Sequence, residues 1–339
     1  MPEAPRIDDA HRRAHQAAVQ ELLLPSMTER RERGLWRVNA NPAENLVGIG
    51  IGSKRVRGRR RAKVTAVQFF VAHKLPEHPI DERHRLPTSW HGHPTDVIQV
   101  GRFSATSGPQ DQSRPALLGS SIGAISGIDS TYGTLGAVVR RTGQTSPRMV
   151  LSCNHVLSNW EQFTPQTTIL QPAPVDGGTD PTASIARLSA VAPLVGAKRG
   201  RVDAAVAELG DPNAVRPAFP PDVAPLIDST PAIAVERQKV HKVGRSTGVT
   251  RGEIMSAGAA FTVDSGDPDI GLILLEDQLL IRDLGRPFSD FGDSGSLVVA
   301  TQERRALGLV CARSTGYSVA NRITNVFTAL GIELVVQVN

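Results

Sequence analysis

Cysteine is nearly absent: the 339-residue chain has two, Cys153 and Cys311. That is too few for a disulfide framework and short of the four sulfur or nitrogen ligands that a structural zinc site usually takes. Both suit a reducing compartment. Aromatic residues make up 4% of the chain, and glycine (31) and proline (24) exceed ordinary usage only mildly, which disfavours collagen, coiled-coil and low-complexity readings. No apolar run approaches the roughly 18 residues of a membrane helix. The opening MPEAPRIDDAHRRAH lacks the apolar stretch of a secretory signal. The reading is therefore of no membrane segment and a cytoplasmic location. What is present is enough apolar material, 40%, to bury a sizeable core over a length that fits two domains, or one large domain with an extension.

The formal charge of +5 is local. Residues 1–108 carry 18 Lys and Arg against 11 Asp and Glu, a balance of +7, and the remainder of the chain is at −2. The excess gathers in KRVRGRRRAK, where Lys54, Arg55, Arg57, Arg59, Arg60, Arg61 and Lys63 flank Gly58. A solvated hairpin tip accounts for this run, and attraction to phosphate or an acidic partner is the alternative. No aromatic side chain interleaves with these cations, so base stacking has no platform and nucleic acid is a poor fit.

Residues 9–33 space Ala10, Ala14, Ala17, Ala18, Leu22 and Leu23 at three to four positions, which predicts an amphipathic helix up to Pro25, capped by Asp8 or Asp9. The β-branched runs 45–53, 64–74 and 95–101 complete a small α+β domain over residues 1–108, with the boundary in the polar stretch 102–115. From Leu117 onward, short strand-like runs recur between glycine and proline punctuation, the pattern of a mainly β architecture. Ile323, Val326, Phe327 and Leu330 have helical spacing and predict a closing helix. The second domain spans 109–339.

The sharpest chemical signal is FGDSGSLVVA at 291–300. A serine nucleophile needs a tight turn, because the amides of Gly292 and Ser294 then point at one spot and can stabilise a developing oxyanion. It also needs a histidine base held by a carboxylate. His155, in RMVLSCNHVLSN, ends an apolar strand. His73, His78, His84, His91 and His93 fall in the basic first domain, and His91 with His93 has no clear third and fourth metal ligand. Asp203, in GRVDAAVAELG, enters an apolar strand, where a carboxylate is costly unless it accepts hydrogen bonds. Asp264, Asp267 and Asp269 read as turn residues, with too few ordered oxygens for a calcium loop. No metal and no cofactor is assigned.

The order His155, Asp203, Ser294, carried by LSCNHVLSN, VDAAVAEL and GDSGSLVV, resembles the trypsin-like serine proteases of the chymotrypsin double β-barrel fold over roughly residues 117–335. GSSIGAISG, GTLGAVV and KVGRSTGVTRG further resemble the bacterial and plant narrow-leaf type branch, whose appended N-terminal domain the VGIGIG leader resembles. The resemblance implies that His155 is general base and then acid, that Asp203 orients it, that Ser294 attacks, and that the Gly292 and Ser294 amides form the oxyanion hole. It implies a primary substrate pocket walled by Phe288 to Phe291 and by Cys311 to Ser314, including Arg313. Phe288 and Phe291 would narrow it, so a small or apolar residue before the scissile bond is expected first and an acidic one second. No Ile-Val-Gly-Gly type start precedes the first barrel, so Asp293 is not expected to pair with a freshly cut amino terminus.

The function expected is that of an intracellular serine endopeptidase acting on protein or peptide substrates. The alternative is a protease-like binding or scaffold protein whose basic N-terminal domain engages a partner. A regulator at that domain and a homo-oligomer both stay open.

Overall fold

The computed structural model describes residues 7–24, 45–56, 59–74, 85–101, 111–194 and 199–337. Asp8 caps the helix Asp9–Ala18, its carboxylate accepting from the His11 amide at 3.0 Å, which satisfies one of the orphan donors of the first turn. The helix continues as a π-helical turn, Val19–Leu23. Ala14, Ala18, Val19 and Leu23 share one face and are buried with Ile49, Val67, Phe69 and Leu274. Trp90 pins the helix by donating its indole N–H to the Ala14 carbonyl at 3.0 Å.

Strands Leu46–Val56 and Arg59–Val71 form an antiparallel hairpin in which Lys54 and Arg55 lie opposite Arg61 and Arg60. The cations thus gather at the distal end of the ladder. Residues 57 and 58, the turn expected around Gly58, lie outside the described residues, as do His78, His84 and residues 102–110 of the expected domain boundary. Strand His93–Gln99 runs parallel to Arg59–Val71. The VGIGIG repeat has a packing reason. A Cβ at Gly50 would sit 2.9 Å from both the Phe70 ring and the Ser256 hydroxyl, so only glycine lets the strand lie so close. The same strand pairs with the 17-residue strand Gly248–Asp264, Gly48 opposite Phe261, and Phe70 stacks on Phe261 with centroids 5.3 Å apart.

The chain is mainly β, as expected, and its described strands form two sheets of nine and eleven members. The first holds Ser121–Ser126, Ala137–Arg141, Met149–Ser152, Thr168–Leu170, Ser184–Val191 and Ala205–Leu209, and is completed by the C-terminal strand Ile332–Leu334 pairing with Ala137–Arg141. The second holds Lys239–Gly244, Gly248–Asp264, Leu272–Asp283, Leu297–Ala300, Arg305–Ser314 and Tyr317–Arg322, extended by the N-terminal strands. The C-terminal helix Ile323–Leu330 buries Ile323, Val326 and Leu330, as their spacing predicts. One apolar cluster contains Val138, Val150 and Leu151 from the first sheet and Leu297, Leu309 and Val319 from the second. Each such fully buried side chain contributes about 1.5–3 kcal/mol, so the seam between the sheets is part of the main core. No described helix is long and apolar enough to cross a membrane.

Candidate active site

Ser294 lies in a turn fixed by its neighbour. The Asp293 carboxylate is fully buried and accepts from the amides of Asp290 (2.8 Å), Ser246 (2.9 Å) and Thr247 (3.2 Å) and from the Thr247 hydroxyl (2.6 Å). Its cation is internal: Lys242 Nζ stands 3.0 Å from Asp293 Oδ2, with neither side chain exposed. Burial pushes the Lys242 ammonium below the usual lysine range, and Asp293 pulls it part of the way back. The expectation that Asp293 lacks a new amino terminus therefore meets a built-in ammonium from the strand Lys239–Gly244.

Gly292 has φ +94°, a conformation that a side chain disfavours. A Cβ there would also collide with Ser246 Oγ at 2.6 Å and with the Arg245 guanidinium. Thr134 clasps the turn from the first sheet, its hydroxyl donating to the Gly292 carbonyl at 2.5 Å and its amide to the Ser294 carbonyl at 2.7 Å. Arg245 extends the clasp, donating its amide to Thr134 Oγ1 at 3.0 Å and pairing through two bonds of 2.6 Å with buried Asp176. Among the described residues the amides of Gly292 and Ser294 donate no hydrogen bond, which leaves both donors for an oxyanion.

His155 follows Cys153, the N-cap of the four-residue helix Asn154–Leu157. Its Nδ1 lies 2.7 Å from Asp203 Oδ2, its amide donates to Asp203 Oδ1 at 3.2 Å, and its ring faces Trp160 with centroids 5.0 Å apart. Asp203 has no exposed surface. Asn321 grips its backbone from the second sheet, accepting from the Asp203 amide and donating to the Asp203 carbonyl, both at 2.9 Å. With the carboxylate as acceptor, Nδ1 is the donor, and in the neutral ring Nε2 carries the lone pair. Nε2 is buried and has no hydrogen-bond partner among the described residues. The histidine and serine elements converge on Gly133, where a Cβ would meet Val156 at 2.5 Å and the Ser294 carbonyl at 2.8 Å. A direct Ser294–His155 hydrogen bond is not formed, a looseness common before substrate closes such a site.

Beside this constellation lies a cleft of about 490 Å³ lined by His155, Tyr132, Trp160, Asp264, Asp267 and Phe291. The loop of Asp264 and Asp267 does contain turns, with Asp264 accepting from the Gly266 amide and Asp267 from the Asp269 amide. Its place over the site is set by the long strands on either side, and nothing local signals it.

Two pocket expectations need correction. Phe288 is fully buried in a cluster with Val240, Ile254, Leu279 and Val298, and Cys311 is fully buried with Sγ 3.5 Å from the Val319 carbonyl. Neither presents surface to a substrate. Counting back from the nucleophile locates a position along the chain but not the direction its side chain takes. Phe291, 41% exposed, and Arg313 do reach the surface, the Arg313 Cζ lying 5.7 Å from the Phe291 centroid.

Among the described residues one group of three potential metal ligands converges, Cys153, His155 and Asp203, with donor atoms within 4.8 Å. Burial, reinforced by Asp203, pushes the Cys153 thiol well above its usual range, so it stays a thiol, and Nδ1 is already committed to Asp203. These donors suit proton handling better than metal ligation. His91 and His93 join no such group.

Residues 222–320 match the family described as the Nal1 C-terminal domain, a segment that contains Ser294 but neither His155 nor Asp203. No curated protein matches the chain. Solved structures similar to it include Thermobifida fusca protease A (14% identity, 65% of this chain and 98% of that one, TM-score 0.45). Others are a glutamic acid specific serine protease (19%, 65% and 100%, 0.44) and Cellulomonas bogoriensis chymotrypsin (14%, 66% and 99%, 0.43).

Proposed function

We propose that this chain is a serine endopeptidase that works through an acyl-enzyme, with Ser294 as nucleophile, His155 as base and acid, and Asp203 as the group that orients His155. One observation carries the reading: Asp203, fully buried, holds His155 at 2.7 Å and, among the described residues, leaves Nε2 without a partner beside a serine turn whose two amides make no hydrogen bond. Nε2 takes the Ser294 hydroxyl proton as Oγ bonds to the scissile carbonyl carbon. The carbonyl oxygen becomes an oxyanion held by the Gly292 and Ser294 amides. The C–N bond then breaks, with the Nε2 proton going to the departing amine. Water enters, gives a proton to Nε2 and its oxygen to the acyl carbon, and Ser294 leaves with the proton returned.

The narrow-leaf type branch is part of this proposal and rests on the GSSIGAISG, GTLGAVV and KVGRSTGVTRG motifs. Assignment to a reducing, intracellular compartment rests on two buried free thiols. A fluorophosphonate probe tests the chemistry. Labelling of the wild type, lost in Ser294→Ala, is the expected result. An unlabelled but folded wild type would leave a binding or scaffold protein as the better description.

A further inference from the structure

Arg313 ends the strand Arg305–Ser314, whose Val310 carbonyl accepts from the Gly295 amide at 2.7 Å, three residues before Arg313 and directly behind the nucleophile. Its cross-strand partner is Ser318, and partners in an antiparallel ladder project from the same face. The buried Ser318 hydroxyl lies 2.7 Å from that of Ser289. Asp290, the next residue, takes Arg313 Nη1 at 2.9 Å, and the Arg313 guanidinium rests near the ring of Phe291. Arg313 therefore faces the segment leading into Ser294, over two buried hydroxyls and beside the Asp290 carboxylate and the exposed Phe291 ring.

Only one guanidinium nitrogen is engaged by Asp290. Arg313 Nε is buried and has no hydrogen-bond partner among the described residues, which leaves a donor without compensation. The edge carrying Nε is one of the guanidinium edges that can bind a carboxylate through two parallel bonds. The pair is half-exposed, Arg313 at 25% and Asp290 at 45%, and solvent on the Asp290 side weakens it relative to a fully buried pair. A second carboxylate arriving from the solvent side therefore competes with a single Asp290 bond for the guanidinium. Arg313 is also felt by Asp283, whose carboxyl is pushed up by burial and drawn back first by the Phe288 amide and then by Arg313.

We infer that Arg313 is a specificity-determining residue that selects an acidic side chain, glutamate or aspartate, at the substrate position before the scissile bond, with Asp290 holding the guanidinium in place until substrate arrives. This rests on the proposed endopeptidase reading. It reverses the order expected from the sequence, where Phe288 was taken to wall the pocket.

The experiment compares peptides identical except for Glu, Gln, Ala, Leu or Lys before the cleaved bond, in wild type, Arg313→Gln, Arg313→Lys and Asp290→Asn. Fluorophosphonate labelling is measured in each. The wild type should favour Glu over Gln. Arg313→Gln should lower kcat/KM for the Glu peptide by about 30-fold or more while the Gln and Ala peptides change little. Arg313→Lys should fall between, and Asp290→Asn should sharpen the Glu preference. Labelled variants whose preference does not move with Arg313, or a wild type that favours Lys or Leu, would overturn the inference and leave the endopeptidase reading intact. A wild type that neither labels nor cleaves would overturn both.

Discussion

Lys242 Nζ and Asp293 Oδ2 lie 3.0 Å apart with both side chains fully shielded from solvent. The pair ties the strand Lys239–Gly244 to the turn that presents Ser294, and the Asp293 carboxylate gathers that turn's amides. The geometry of the Gly292 and Ser294 amides, the proposed oxyanion donors, therefore depends on a charge from another strand.

Removing that charge leaves a buried carboxylate unpaired. Lys242→Met should lower the unfolding free energy by about 3–5 kcal/mol, read from urea denaturation, and should abolish probe labelling. Lys242→Met combined with Asp293→Asn should regain part of the stability, because the uncompensated charge is gone. Equal stability in the single and double variants would show that the ion pair does not hold the turn.

Asp203→Asn keeps the shape of the site but presents an amide to Nδ1, which favours the wrong imidazole tautomer. A folded protein with kcat lowered by about 10⁴-fold is expected. Steady-state kinetics on a peptide substrate, with circular dichroism to check the fold, decide this. Unchanged kcat would remove Asp203 from the mechanism.

Asn321 never touches the imidazole, but it holds the Asp203 backbone through two bonds of 2.9 Å. Asn321→Ala leaves buried backbone groups unpaired, at about 1–3 kcal/mol. The resulting misplacement of Asp203 should lower kcat by about 10²-fold with KM near its original value. A change in KM alone would make Asn321 structural rather than a positioning residue.

Cys153 and Cys311 have thiols that burial, and secondarily Asp203, push well above their usual range. The native protein should resist iodoacetamide at pH 8, and intact-mass measurement should show two adducts once the chain is unfolded. The linkage has a definite sign. Above the free thiol value of about 8.5 the unfolded chain releases protons that the native state keeps, so stability should fall as pH rises through that region. Rapid native alkylation would contradict the packing of both side chains.

The residue types of the candidate site were legible from local order. Ser294 stands between glycines before an apolar strand, His155 ends one, and Asp203 precedes one, and each of these is a pattern within about ten residues. The closing helix and the helix capped by Asp8 were equally legible, since period and capping are properties of a short segment. What lay beyond the sequence was set by pairing across long separations. Lys242 reaches Asp293 across 51 positions and Asn321 reaches Asp203 across 118, and no local period encodes a partner that distant. Phe288 marks the same limit from the other side. Its place in the chain suggests a pocket wall, yet it lies in a bend between strands with its ring fully buried among Val240, Ile254 and Val298, because the direction a loop side chain takes is decided by the sheet it packs on and not by its distance along the chain from Ser294.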